Sequence, residues 1–276
     1  MADPLDGPQP LVTVSGLGVS LGRPRTVVVE KVGFSIHDHE IVGIAGESGS
    51  GKSVTALSLA RLLPSAARAR YAGVVRLRNG PDNLLQAGER TLRRIRGRRL
   101  GYNFQEPSAS FNPVFTIRDH LSEILKTAGI PAQDHRERVS RALEEVGLPS
   151  NKSTLRAYPG DFSGGMLQRT AIACALLGSP DLLIADEPTT ALDTLTQRKI
   201  VDLLLRLNQE KGMAVLFISH DLGLLKEVCS QLLVMREGAV VESGKTSEIL
   251  AHPEHSYTRD LLRDLPKLRL KPCRNP

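Results

Sequence analysis

The sequence predicts an α/β fold, with an antiparallel sheet near its N-terminal end and a helical block inserted in the middle. Three observations carry this. Short apolar runs that read as strands alternate with helical patterns along most of the 276 residues. Some of those runs are apolar throughout, as strands buried on both faces are. Residues 114–178 are helical in pattern, with no strand among them.

Taken in order, Leu11–Val14 and Val27–Ile36 hold β-branched residues in short runs and predict the N-terminal antiparallel sheet. Glu40–Ala45 predicts a buried central strand running into a glycine-rich turn. Ser53–Leu63, with Val54, Leu57, Leu59 and Leu62, then predicts a helix. Residues 61–100 contain 11 arginines against 2 acids, an excess larger than the net charge of +6 for the whole chain. Ile117–Leu125, Arg136–Val146 and Met166–Leu177 make up the helical block. Strands return at Asp181–Ala185, Ala214–Ile218 and Gln231–Met235, with a helix over Leu192–Leu207. After Pro253 no strong period is visible.

Composition narrows the function classes. Hydrophobic residues at 41% and charged residues at 24% support an ordinary packed core. A pI near 9.4 suits nucleotides, nucleic acid or an anionic membrane surface and does not choose among them. Cys174, Cys229 and Cys273 are too far apart for a CxxC site, which argues against a disulfide framework and for a reducing cytosol. No charge-free run approaches the roughly 18 apolar residues of a membrane span. The leader MADPLDGPQP lacks an apolar stretch, so no secretory signal is expected. With no Trp and 4 Tyr, a platform for stacking single-stranded bases has little to work with.

Four motifs carry chemistry. Gly46, Glu47, Ser48, Gly49, Ser50, Gly51, Lys52 and Ser53 form a G-x-x-x-x-G-K-[ST] run between a predicted strand and a predicted helix. Glycines let backbone amides turn inward around a phosphate, and the helix adds its positive N-terminus. Lys52 can reach β- and γ-phosphates, and the Ser53 hydroxyl can complete a Mg²⁺ shell. Leu182–Ala185 leads into adjacent carboxylates, Asp186 and Glu187. The first can hold Mg²⁺ through water, and the second can polarise a water attacking the γ-phosphate. Val215–Ile218 leads to His220, where a γ-phosphate sensor would be needed. Ser163, Gly164 and Gly165 open a long apolar helix, a second anion-binding device that a single nucleotide site does not need. Alone, that fourth motif would read as an ordinary serine N-cap.

Together and in this order the four resemble the ATP-binding cassette family, the nucleotide-binding subunits of ABC transporters, over roughly residues 10–262. The resemblance implies a P-loop NTPase (RecA-like) core with an N-terminal antiparallel β subdomain and a helical subdomain at about 108–178. Residues 1–262 would be one ATPase domain and 263–276 a short C-terminal tail. ATP and Mg²⁺ would be the cofactors. Residues 46–53 would be the Walker A loop, Gln105 the Q-loop glutamine, and Ser53, Gln105 and Asp186 the Mg²⁺ neighbours. Glu187, His220 and Gln105 would be catalytic, and Asp193 the D-loop aspartate. Two cassettes would pair head to tail, so that Ser163, Gly164 and Gly165 act on the partner's ATP.

Arg96-Gly97, Phe104–Pro107, Ser110–Pro113, Tyr158-Pro159, Ser163–Arg169 and His255–Arg259 are similar to the branch that imports peptides and nickel. That branch implies a second, different cassette, two membrane permeases and an extracytoplasmic solute-binding protein, at the cytoplasmic face of the cell membrane. Peptides come first and nickel or metal chelates close behind. Three departures stand out: Phe162 begins the signature in place of Leu, Tyr158–Asp161 replaces the usual Pro-His-Glu, and Leu21 stands where an aromatic usually stacks on adenine. Leu21 is expected to weaken discrimination of ATP from GTP. The alternative, an ABC ATPase acting on nucleic acid or ribosomes, draws on the arginine-rich segment. It lacks a long coiled coil between Gln105 and Ser163 and a second cassette, so no nucleic acid is expected. Adjacent Asp186 and Glu187 with Ser163–Gly165 argue against a P-loop kinase of small molecules.

Overall fold

The computed structural model describes residues 9–263. Most of the leader, Cys273 and most of the expected tail lie outside them. In chain order the strands are β1 (Val12–Leu21), β2 (Thr26–Ile36), β3 (Ile41–Ala45), β4 (Arg70–Leu77), β5 (Leu100–Asn103), β6 (Leu182–Asp186), β7 (Ala214–Ile218), β8 (Gln231–Arg236) and β9 (Ala239–Lys245). The helices are α1 (Lys52–Leu59), α2 (Glu89–Ile95), α3 (Pro107–Ser110), α4 (Ile117–Thr127), α5 (His135–Glu145) and α6 (Lys152–Arg156). They continue with α7 (Gly164–Leu176), α8 (Thr194–Lys211), α9 (Leu222–Val228), α10 (Thr246–Ala251) and α11 (Ser256–Arg263).

Two sheets result. The first is antiparallel, in the order β2-β1-β4. The second runs β5-β6-β7-β3-β8-β9 and is parallel except for its β9 edge. Because side chains alternate across a strand, an apolar strand must find cover on both faces. Here Ile41, Ala45, Leu183, Ala185, Val215, Phe217, Leu232 and Val234 join one apolar cluster with α4, α5, α7 and α8. Their alternates Val42, Ile44, Leu182, Ile184, Leu216, Ile218, Leu233 and Met235 join a second cluster, which includes the N-terminal sheet and α1. The helices between α3 and α7 therefore share one core with the sheet.

Three expectations change. The helix predicted over Ser53–Leu63 ends at Leu59, because Arg61 turns to φ +50° and the freed carbonyls of Ala60 and Arg61 accept Arg96 Nε and Nη2 at 2.8 and 2.7 Å. The arginine-rich segment, for which no strand was expected, is regular structure in part. It contains β4, the third strand of the first sheet, and Arg99 ties Asp181 (2.6 Å) and the Arg78 carbonyl (2.7 Å). The chain after Pro253 forms α11, which buries Tyr257 and Thr258.

Phe217 sits in the middle of the larger cluster at 1% exposure. Phe217→Ala should lower unfolding free energy by about 3–5 kcal/mol in urea melts, the usual range for emptying a well-packed aromatic site.

Candidate functional site

Parallel strands end on one edge, and three of the four sequence motifs occupy that edge. The loops after β5, β6, β7 and β3, four neighbouring strands, carry Gln105, Asp186 with Glu187, His220, and residues 46–53.

The loop after β3 is tightly packed at two of its glycines. Gly46 has φ +147°, and a Cβ there would lie 2.3 Å from the Met235 carbonyl oxygen. Glycine is also required at 51, where φ is +100° and a Cβ would lie 2.9 Å from the Val28 carbonyl oxygen. Helix α1 begins at Lys52, so its unpaired amides and dipole face the loop. Lys52 is buried, and its Nζ donates to the carbonyls of Gly46 (2.8 Å) and Glu47 (2.7 Å). Burial pushes the ammonium pKa down, against the opposing pull of Glu187, Asp186 and Glu47.

Asp186, the last residue of β6, is also buried. Its Oδ1 accepts from Ser53 Oγ at 3.0 Å and its Oδ2 from the Tyr102 hydroxyl at 2.9 Å. Burial raises the carboxyl pKa, and the two hydrogen bonds work against the rise. Glu187 follows with φ +45°, its amide donating to the Ile218 carbonyl of β7 at 3.0 Å. Three side chains meet its Oε2. Gln105 Nε2 donates at 3.0 Å, Thr190 Oγ1 donates at 2.9 Å, and His220 Nδ1 lies at 3.6 Å. The glutamate side chain is 12% exposed and that of His220 is 62% exposed, so the histidine approaches from solvent.

Ser163 lies apart from this cluster. It caps α7, its Oγ accepting from the Met166 amide at 3.3 Å, and with Gly165 it lines a separate groove beside Arg169, Thr196 and Lys199. Asp193 caps α8 by accepting from the amides of Leu195 (3.1 Å) and Thr196 (3.0 Å), and hydrogen bonding from Thr196 lowers its carboxyl pKa. Thr196 joins these two helix starts, since a Cβ on Gly165 would lie 2.6 Å from its methyl group. Among the described residues no hydrogen bond links Ser163 or Asp193 to residues 46–53. Leu21 closes β1 opposite Thr26, half-buried against the second apolar cluster.

Residues 29–190 match the ABC transporter family. The chain belongs to that family. A Brucella ovis protein provisionally named a peptide import ATP-binding protein is 43% identical over 94% of this chain and 79% of its own length. The Salmonella typhimurium glutathione import ATP-binding protein GsiA is 38% identical over 97% of this chain and 44% of its own length. Among solved structures, the dimeric ATP-binding cassette MJ0796 in a post-hydrolysis state with ADP and Pi gives a TM-score of 0.72 at 27% identity. It is covered over 98% of its length and covers 85% of this chain.

The chain is thus an ATP-binding cassette with ATPase activity as its family chemistry. Three contacts of the cassette were not foreseen, although Tyr257 belongs to the His255–Arg259 run quoted above. Tyr102 stands three residues before Gln105, Thr190 three after Glu187, and Tyr257 reaches the phosphate loop from α11. Each is an ordinary hydroxyl residue whose partner only the fold reveals. Gly46→Ala should strain the loop by roughly 1–3 kcal/mol. Denaturant melts should show that loss, and titration with ATP should show weakened binding.

Proposed function

We propose that this cassette hydrolyses ATP to energise an importer, working as one of a head-to-tail pair. The observation that carries the reading is the separation of two anion-binding helix starts in one chain. Lys52 and the amides of α1 lie with Asp186 and Glu187, whereas Ser163 and its glycines open onto another groove. Each start would then complete a site with the other chain of the pair.

Lys52 would leave the Glu47 carbonyl and keep that of Gly46 as it meets the β- and γ-phosphates, with the loop amides around the β-phosphate. Ser53, Asp186 and Gln105 are hard-oxygen donors suited to Mg²⁺, Asp186 through water, and the 3.0 Å approach of Ser53 to Asp186 fits that use. Bound there, Mg²⁺ neutralises charge on the phosphate oxygens. With Oε2 of Glu187 held by Gln105 and Thr190, Oε1 remains to take a proton from the attacking water. His220, close to the same carboxylate, would sense the γ-phosphate from the solvent side.

Relatives named for peptide and glutathione import support peptides as the solute class, ahead of nickel or metal chelates. Residues 1–262 would act as one ATPase domain with 108–178 as its helical part. An apolar groove beside Gln105, floored by Tyr102, Asn103 and Phe104 and walled by Phe111, Ile124 and Cys174, offers a seat for a permease segment. Among the described residues no helix is long and apolar enough to cross a membrane. Docking on two permeases, served by an extracytoplasmic solute-binding protein, would hold the cassette at the cytoplasmic face. Nucleic acid is disfavoured because the relatives are named for peptide and glutathione import. Of the arginine-rich segment, Arg96, Arg98 and Arg99 bind carbonyls and carboxylates of the chain itself, whereas Arg90, Arg93 and Arg94 are exposed.

Glu187→Gln should lower hydrolysis by about 10²–10⁴ while ATP still binds. Near-normal steady-state turnover would remove Glu187 from the mechanism. Ser163→Arg should leave ATP binding by the isolated chain intact and silence the site built on the partner cassette's loop. Undiminished ATPase activity in the assembled transporter would reject the paired arrangement.

A further inference from the structure

One peptide group of the phosphate loop is gripped from both sides. Its carbonyl, on Gly46, accepts the Lys52 ammonium at 2.8 Å, and its amide, on Glu47, donates to the Tyr257 hydroxyl at 3.0 Å. A peptide unit is planar, with C=O and N–H pointing in opposite directions, so turning one turns the other. Gly46 is the residue beside it with the backbone freedom to permit such a turn.

Tyr257 is itself held fast. Its ring is buried, the Arg236 guanidinium lies 5.1 Å from the ring centroid, and its amide donates to His255 Nδ1 at 3.2 Å. The amides of Glu254 and His255 donate to the Glu242 carboxylate at 2.9 and 3.1 Å, and Glu242 pairs with Val234 across β9 and β8. The turn between those strands also braces the loop, Gly238 N donating to the Ser50 carbonyl at 3.0 Å. The hydroxyl therefore stands at the end of a clip fastened to the sheet edge.

We propose that Tyr257 is a positioning residue for ATP binding: by fixing the Gly46–Glu47 peptide it keeps the Gly46 carbonyl turned toward Lys52 and seats the ammonium for the incoming phosphates. The inference rests on Lys52 meeting the phosphates as proposed above. It assigns to the C-terminal helix a direct share in the nucleotide site, through a residue 210 positions from its partner in sequence.

The test is equilibrium titration of the full chain with a fluorescent ATP analogue. Tyr257→Phe keeps the ring and removes the hydroxyl, and should weaken binding by about two- to tenfold, the span of one net hydrogen bond. In a Lys52→Ala background the same substitution should change binding no further, because the group it positions is gone. Unchanged affinity in Tyr257→Phe overturns the proposal. So does an equal loss in both backgrounds, which would mark the hydroxyl as a brace for the loop in general. Should the phenylalanine variant not fold, Glu242→Ala, which unfastens the clip and keeps the tyrosine, should show the same Lys52-dependent loss, and its absence overturns the proposal equally. A wild-type chain that binds no nucleotide would instead refute the reading of the loop itself.

Discussion

Parallel hydrogen bonding between neighbouring strands is the constraint on which this molecule depends. It forces β5, β6, β7 and β3 to finish on one edge, so residues as far apart as Ser53 and Asp186, 133 positions, come within hydrogen-bonding distance. It also leaves both faces of the sheet in need of cover, and the alternation of Val215 and Phe217 toward one cluster with Leu216 and Ile218 toward the other supplies it. The helical layer and the N-terminal sheet are thus consequences of the arrangement that gathers the polar groups.

Those polar groups are gathered in a poorly solvated place, and the contacts around them offset that. A buried ammonium and a buried carboxylate each carry a desolvation penalty, and each meets specific partners: two loop carbonyls for Lys52, two hydroxyls for Asp186.

Much of this was legible in the residues. Strands apolar throughout, such as Ile41–Ala45 and Ala214–Ile218, declare themselves because nothing but a doubly covered sheet suits them. The loop at 46–53 declares itself through its glycines, which the backbone requires at Gly46 and Gly51. What was not legible depends on contacts between distant segments. Strand β4 carries Arg70 and Arg76 among its apolar residues, so its charge conceals its pairing with β1. Helix α1 stops early because Arg96, more than thirty residues on, takes the carbonyls at its end. Tyr102 and Thr190 have no local pattern that points to a carboxylate. Their roles exist only once β5 and β6 lie side by side.

The backbone of Glu187 bears on how this protein tolerates change. An L-residue at φ +45° is held in a conformation that glycine or asparagine adopts more readily, here tethered by its amide to Ile218. Replacing the glutamate by either would relax the chain while deleting the carboxylate. With Glu187 as the base proposed above, selection for heat resistance alone would favour a sturdier protein with a silenced site, and the glutamate would mark a position where durability and activity pull in opposite directions.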